Sequence, residues 1–335
     1  CRESVKIYKG VIAMKEKKEN QNPSIKILVG YHKPAELLKD DILTPIHLGR
    51  ALATEASKDG EMSKEEFEWM CENMMGDDTG DNISYLNRYL NELTGIYWAW
   101  KNYDKLGNPD YIGFMHYRRH FIFDNNFTNS LQLNGDGYSY LFDALDKKYF
   151  QYISSIDFFR EIKNYDLIIP KIFDCNFILD KIQEFKSCKE FLYSWNGNNH
   201  TGYNIVKLIS SMQPRYSDFL NIIDKNTKYY PYNMFIMKRE IYFNYVNFLF
   251  EIIFQVYDIM KNDLYMRTNI FNKREIAWLS EYISTLFFYS LQKENRIIGE
   301  KYVSCGINCF NIDSNIKKKN NISISKLIRR ILEKI

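Results

Sequence analysis

Ser24-Ile25-Lys26-Ile27-Leu28-Val29-Gly30-Tyr31-His32-Lys33-Pro34 is the stretch on which the fold turns. Its apolar run is rich in β-branched residues, too short for a helix, and ends at a glycine. That pattern predicts a buried first strand feeding a functional loop. Outward from it, similar runs recur at Tyr111–Met115, at Leu167–Ile169 closed by Pro170, and at Asn233–Met237. Helical patterns lie between them. Ser63-Lys64-Glu65-Glu66 is a capping box opening a helix to about Met75. Ser84 to about Tyr103 spaces Leu86, Leu90, Leu93, Tyr97 and Trp100 as one helix would, with Gly95 as a weak point. Arg239 to about Lys261 and Lys273 to about Gln292 are two longer ones. Strands alternating with helices predict an α/β domain over residues 24–312 whose central sheet is mostly parallel and flanked by helices. Ligands of such sheets sit outside the carboxyl ends of the strands.

Composition narrows the function. With 45% hydrophobic and 26% charged residues the chain is an ordinary globular one, so wholesale disorder is excluded. The 45 basic and 42 acidic residues leave a net charge of +3, too balanced for a nucleic-acid binder. Six cysteines without a CxxC pair make neither a disulfide scaffold nor a zinc module, and Cys305 and Cys309 have no His nearby. A reducing cytoplasm is the expected compartment. The greasiest stretch, Phe248 to Met260, is broken by Glu251, Gln255 and Asp258 and does not read as a membrane span.

The strand-end rule selects His116-Tyr117-Arg118-Arg119-His120. Arginine forks match phosphate oxygens, and such charge-assisted bonds contribute roughly 1.5–3 kcal/mol each. A solvated basic turn with a core histidine is the plainer reading; position at a strand end favours a diphosphate site. Asp77-Asp78-Thr79-Gly80-Asp81-Asn82 holds more acids than capping requires, and suits a divalent cation, sugar hydroxyls or a reactive hydroxyl. Glu275 and Glu281 flank Trp278, an acid-beside-ring arrangement that suits carbohydrate but also suits a solvated helix face. No G-x-S-x-G, P-loop, G-x-G-x-x-G or HExxH occurs, which demotes serine hydrolases, P-loop enzymes, dinucleotide enzymes and zincins. Group transfer from an activated donor needs no such motif. In the tail, Ile324, Leu327, Ile328, Ile331, Leu332 and Ile335 form an apolar stripe flanked by Lys326, Arg329, Arg330 and Lys334. A basic amphipathic helix over 313–335 suits an anionic membrane surface or docking on the protein itself. Residues 1–23 read as an N-terminal extension.

Tyr31-His32-Lys33-Pro34, Glu92 to Asn102 (ELTGIYWAWKN), His116-Tyr117-Arg118-Arg119, Tyr232 to Met237 (YNMFIM) and Leu279-Ser280-Glu281 occur in that order. Together they resemble the bacterial glycosyltransferase family catalogued as domain of unknown function 4422, found in capsule, exopolysaccharide and lipopolysaccharide gene clusters. The resemblance covers about residues 24–295. It implies a GT-A-like, Rossmann-type fold with a helical C-terminal region. The implied activity is transfer of a sugar, galactose or galactofuranose in some members, from a nucleotide-diphosphate donor, usually UDP-linked. The implied acceptor is a hydroxyl of a surface polysaccharide or lipid-linked glycan, at the inner face of the cell membrane.

Carried onto this sequence, the resemblance sets Tyr31, His32, Lys33, Arg118, Arg119 and Asn233 around the donor and its diphosphate, and the acidic segment is expected to add Asp81 and Asn82. Glu281 is the expected base, with Asp78 second and His116 beside the leaving group. Trp98, Trp278 and His200 are the expected sugar-facing residues. No Asp-x-Asp occurs, the nearest approach being Asp59-Gly60-Glu61, so fixed cations are expected to replace a metal. Manganese or magnesium enters only if Asp77, Asp78 and Asp81 bind it. The competing readings are a non-catalytic glycan- or nucleotide-binding module and a glycosyl-phosphate transferase.

Overall fold

The computed structural model describes residues 22–53, 62–134, 138–142, 147–176, 185–195, 200–294 and 299–308. The expected tail helix, the Asp59–Glu61 loop, Cys309 and all but the end of the N-terminal extension lie outside them.

The strands are β1 Ile25–Tyr31, β2 Leu43–His47, β3 Met75–Gly76, β4 Tyr111–His116, β5 Arg119–Ile122, β6 Gln132–Leu133 and β7 Ser139–Phe142. They continue with β8 Leu167–Pro170, β9 Phe173–Asp174, β10 Lys228–Tyr229, β11 Phe235–Lys238 and β12 Glu300–Asn308. Ten of them make one sheet in the order β3-β2-β1-β4-β11-β8-β12-β7-β6, with β5 paired to β4 and β12; β9 and β10 pair separately. The four strands expected from sequence are all present, but the sheet is mixed rather than mostly parallel. β3, β2, β1 and β4 are mutually parallel, as are β8, β12 and β7. β11 runs antiparallel to both β4 and β8, and β5 and β6 are antiparallel to their partners. The chain arrives at β11 from the carboxyl edge of β4, since Phe235 pairs Phe114 and Lys238 pairs Tyr111. The reversal therefore sets the turn before β11 beside the end of β4.

The longer helices discussed below are α1 Lys64–Asn73, α2 Leu93–Lys101, α3 Thr201–Ser211, α4 Pro214–Lys225, α5 Arg239–Met266 and α6 Glu275–Lys293. The capping box at Ser63 forms in both directions, Glu66 N to Ser63 Oγ at 3.2 Å and Ser63 N to Glu66 Oε2 at 2.7 Å. Period-two alternation divides the core. Leu28, Ile112, Phe114, Phe235 and Met237 face a layer built from α2 to α6, while Ile27, Val29, Tyr31, Met115 and Ile236 face the opposite side with Met70 of α1. Leu48 plugs the seam between β1 and α2: an added Cβ would meet its side chain at 2.7 Å from Gly30 and 2.5 Å from Gly95. Gly95 is thus a close-approach residue.

The single helix expected over 84–103 is broken. A 3-10 turn at Ser84–Leu86 and a short helix at Asn87–Leu90 end at Asn91, whose φ is 46°, before α2 begins. Asn87 Nδ2 donates to the Asn91 carbonyl and fixes the break.

Candidate functional site

β4 ends at His116, and the tight turn into β5 presents Arg118 and Arg119 at the carboxyl edge of the parallel run. His116 Nε2 lies 2.9 Å from the Tyr232 carbonyl, which only accepts, so Nε2 carries the proton. Burial first, then the Arg119 charge, push this imidazole down to about 3. His116 is therefore a neutral strut on the Tyr232 turn rather than one of the fixed cations. The cations are the arginines. Arg119 lies 4.5 Å over the Tyr232 ring and Arg118 5.2 Å over the Tyr117 ring. Among the described residues neither guanidinium makes a hydrogen bond or an ion pair, and the Arg119 Nε is buried without a partner.

α6 supplies one acid, Glu281, and Glu92 ahead of α2 supplies the other. Arg274, Trp278 and Glu281 recur at spacings of four and three and so share one helical face. Glu281 accepts from the Tyr232 amide; burial first, then Glu92, raise its carboxyl to about 8 against the pull of that amide and of Arg119. Glu92 is also raised by burial, opposed by Asn233, Arg119 and Arg274. Asn233 Nδ2 donates to Glu92 Oε1 and to Ser280 Oγ, each at 2.8 Å, and its Oδ1 accepts from Ser284 Oγ at 3.3 Å. Arg274 faces solvent near His32 and Glu92 and has no ion-pair or hydrogen-bond partner among the described residues. The site thus sets two half-buried carboxylates, Glu92 and Glu281, beside Arg119, with Arg118 on the same turn and Arg274 at the solvent edge.

Other expected residues fall elsewhere. Tyr31 is buried; its hydroxyl donates to the Glu36 carbonyl and accepts from Leu38 N, both at 3.0 Å, so its ring belongs to the core and only the loop beyond it faces outward. His32 is exposed, edge-on to Tyr117 at 5.2 Å, and Lys33 is half-buried beside it. Trp98 is 1% exposed with its Nε1 donating to Thr79 O and Oγ1, which leaves no ring face for a sugar. Trp278 is half-buried on the Glu281 face. His200 stands against Tyr193 ahead of α3. Glu275 is fully buried, paired with Arg267 at 2.6 Å.

The acidic segment follows β3, three strands from β4 and so roughly 14 Å along the edge. Asp77 is buried under four hydrogen bonds, Asp78 pairs with Arg50 at 2.6 Å, Asp81 accepts from Tyr97 at 3.1 Å, and Asn82 caps its own turn. The three acids do not converge, and among the described residues no three His, Cys, Asp or Glu side chains are placed to hold a metal ion. Sequence reasoning missed Glu92, Ser280 and Arg274 as site residues; Glu92 and Ser280 stood inside quoted motifs, while Arg274 carried no signal.

A family model described as domain of unknown function (DUF4422) matches residues 26–294. Among solved structures, the apo structure of the WbbM bifunctional glycosyltransferase is similar, with a TM-score of 0.70 and 26% identity over 86% of this chain and 46% of that one. The chain thus spans about half the length of that protein. No curated protein matches. No described helix is long and apolar enough to cross a membrane.

Proposed function

The chain belongs to the DUF4422 family, and we propose that it is a GT-A-like glycosyltransferase using a nucleotide-diphosphate sugar. The observation that carries this reading is that the Arg118 and Arg119 guanidinium groups, at the turn after β4, make no hydrogen bond or ion pair among the described residues, while Arg119 acts on both Glu92 and Glu281 and Arg274 acts on Glu92. Unpaired guanidinium groups at a strand end suit a dense anion, and a leaving diphosphate is one. The similarity to the WbbM bifunctional glycosyltransferase supports the same class.

In the proposed reaction the bond from the sugar's anomeric carbon to the diphosphate oxygen breaks, with both electrons going to that oxygen. Arg118 and Arg119 stabilise the charge that develops there. The acceptor hydroxyl oxygen bonds the anomeric carbon, and its proton passes to Glu281. A base titrating near the working pH is well matched to that task. The donor we favour is UDP-linked, with galactose or galactofuranose as the sugar and a bacterial surface polysaccharide or lipid-linked glycan as acceptor. Trp278, on the same helical face as Glu281, is the favoured sugar platform. A cytoplasmic enzyme at the inner face of the membrane fits that acceptor. The guanidinium groups take the metal's place in this scheme.

The test is incubation with a panel of nucleotide sugars in excess chelator, following release of free sugar and transfer to acceptor. Sugar release that persists in chelator is expected. Loss that added manganese or magnesium restores contradicts the role given to the arginines, and phosphate retained on the product indicates glycosyl-phosphate transfer instead.

A further inference from the structure

Backbone strain concentrates in the turn before β11. Tyr232 and Asn233 have φ of 75° and 48°, and neither is glycine. Consecutive left-handed residues of this kind are costly and persist only where their surroundings over-determine them. The restraints here come from four directions. His116 of β4 holds the Tyr232 carbonyl, and Arg119 of β5 covers its ring. Ser280 and Ser284 of α6 hold the Asn233 amide group, and Glu92, at the break before α2, accepts from Asn233 Nδ2 at 2.8 Å. The same turn gives its Tyr232 amide to Glu281. One turn therefore grips two acids, one by a side chain and one by its backbone.

We propose that Glu92 is a positioning residue for Glu281: through Asn233 it fixes the turn that holds Glu281, and its charge sets the pH at which Glu281 becomes an ionised base. The catalytic consequence rests on the transferase reading; the electrostatic one does not. The groups facing the two acids are Arg119 from β5, Arg274 from α6, Tyr229 and Tyr232 from the segment before β11, and Tyr245 from α5, with neutral His116 behind the turn. The only other acid acting on Glu281 from among these groups is Glu92. The sign follows by linkage. Glu281 holds its proton to about 8 in the folded protein, well above the ordinary carboxylate range. The contribution of Glu281 to stability is therefore full below the ordinary carboxylate range and is lost over a window as pH rises through about 8. Removing the Glu92 charge lowers the upper end of the window and reduces the fall.

Glu92→Gln keeps an acceptor for Asn233 while deleting the charge. Thermal melts between about pH 5 and 9.5 are expected to show the variant gaining on the wild type as pH rises. In turnover, the limb on which rate increases with pH should move acidward by on the order of one unit. A constant offset in melting temperature at every pH, with the kinetic limb unmoved, overturns the proposal and leaves Glu92 a structural residue. Because Glu92 is itself raised by burial, the same melts are run in a Glu281→Gln background. A pH-dependent gain that shrinks there supports the charge coupling, and one of equal size contradicts it. Absence of turnover with every nucleotide sugar contradicts the transferase reading, so the two claims fail separately.

Discussion

Asp77 is fully buried, and its two oxygens accept four hydrogen bonds: Gly49 N at 2.7 Å, Arg50 N at 3.0 Å, Ser84 Oγ at 2.5 Å and Thr94 Oγ1 at 2.6 Å. The carboxylate ties the loop after β2 to the loop after β3 and to α2. Asp77→Ala would strand two backbone amides in the interior, and we expect a loss of about 3–5 kcal/mol in urea unfolding. Folded variant should retain nucleotide affinity; a stable variant that had lost that affinity would instead make Asp77 a ligand-binding residue. In sequence, Asp77 was indistinguishable from Asp78 and Asp81, because residue type reports charge and not the direction of a side chain. The place of Arg118 and Arg119 at a strand end was legible, because an apolar run that stops at His116 is a local signal.

At the scale of elements, the break at Asn91 matters most. A helix running unbroken from Ser84 was the natural reading of Leu86, Leu90, Leu93 and Tyr97, and periodicity carried no sign of the left-handed residue between them. The break delivers Glu92 to Asn233, and α2 then buries Trp98 against Thr79. Trp98→Phe keeps one aromatic ring but loses the rest of the indole volume and leaves the Thr79 acceptors unpaired, so a cost of about 2–4 kcal/mol is expected with turnover per folded molecule unchanged. A large rise in KM without loss of stability would restore Trp98 as a sugar contact. β2 escaped notice because Pro45 interrupts its apolar run, yet it sits inside the sheet between β1 and β3. β12 escaped because Lys301, Ser304 and Gly306 dilute its apolar content.

For the molecule as a whole, the direction of β11 decides where the chemistry can assemble. Strand existence was readable from local composition; strand direction depends on which edge the chain returns to, and that is a property of the connections. With β11 reversed, its entry turn, the end of β4 and the start of α6 meet at one edge, and residues 92, 118, 119, 233, 274 and 281 come from four separate stretches of chain. The central claim is that the arginines of that edge grip a diphosphate. Calorimetric titration of UDP into the wild type and into Arg118→Ala/Arg119→Ala, both in excess chelator, tests it most directly. The account predicts saturable binding by the wild type and an affinity at least about a hundredfold weaker in the double variant, from the loss of two charge-assisted contacts. Equal affinity in the two proteins, with the variant folded, would contradict it.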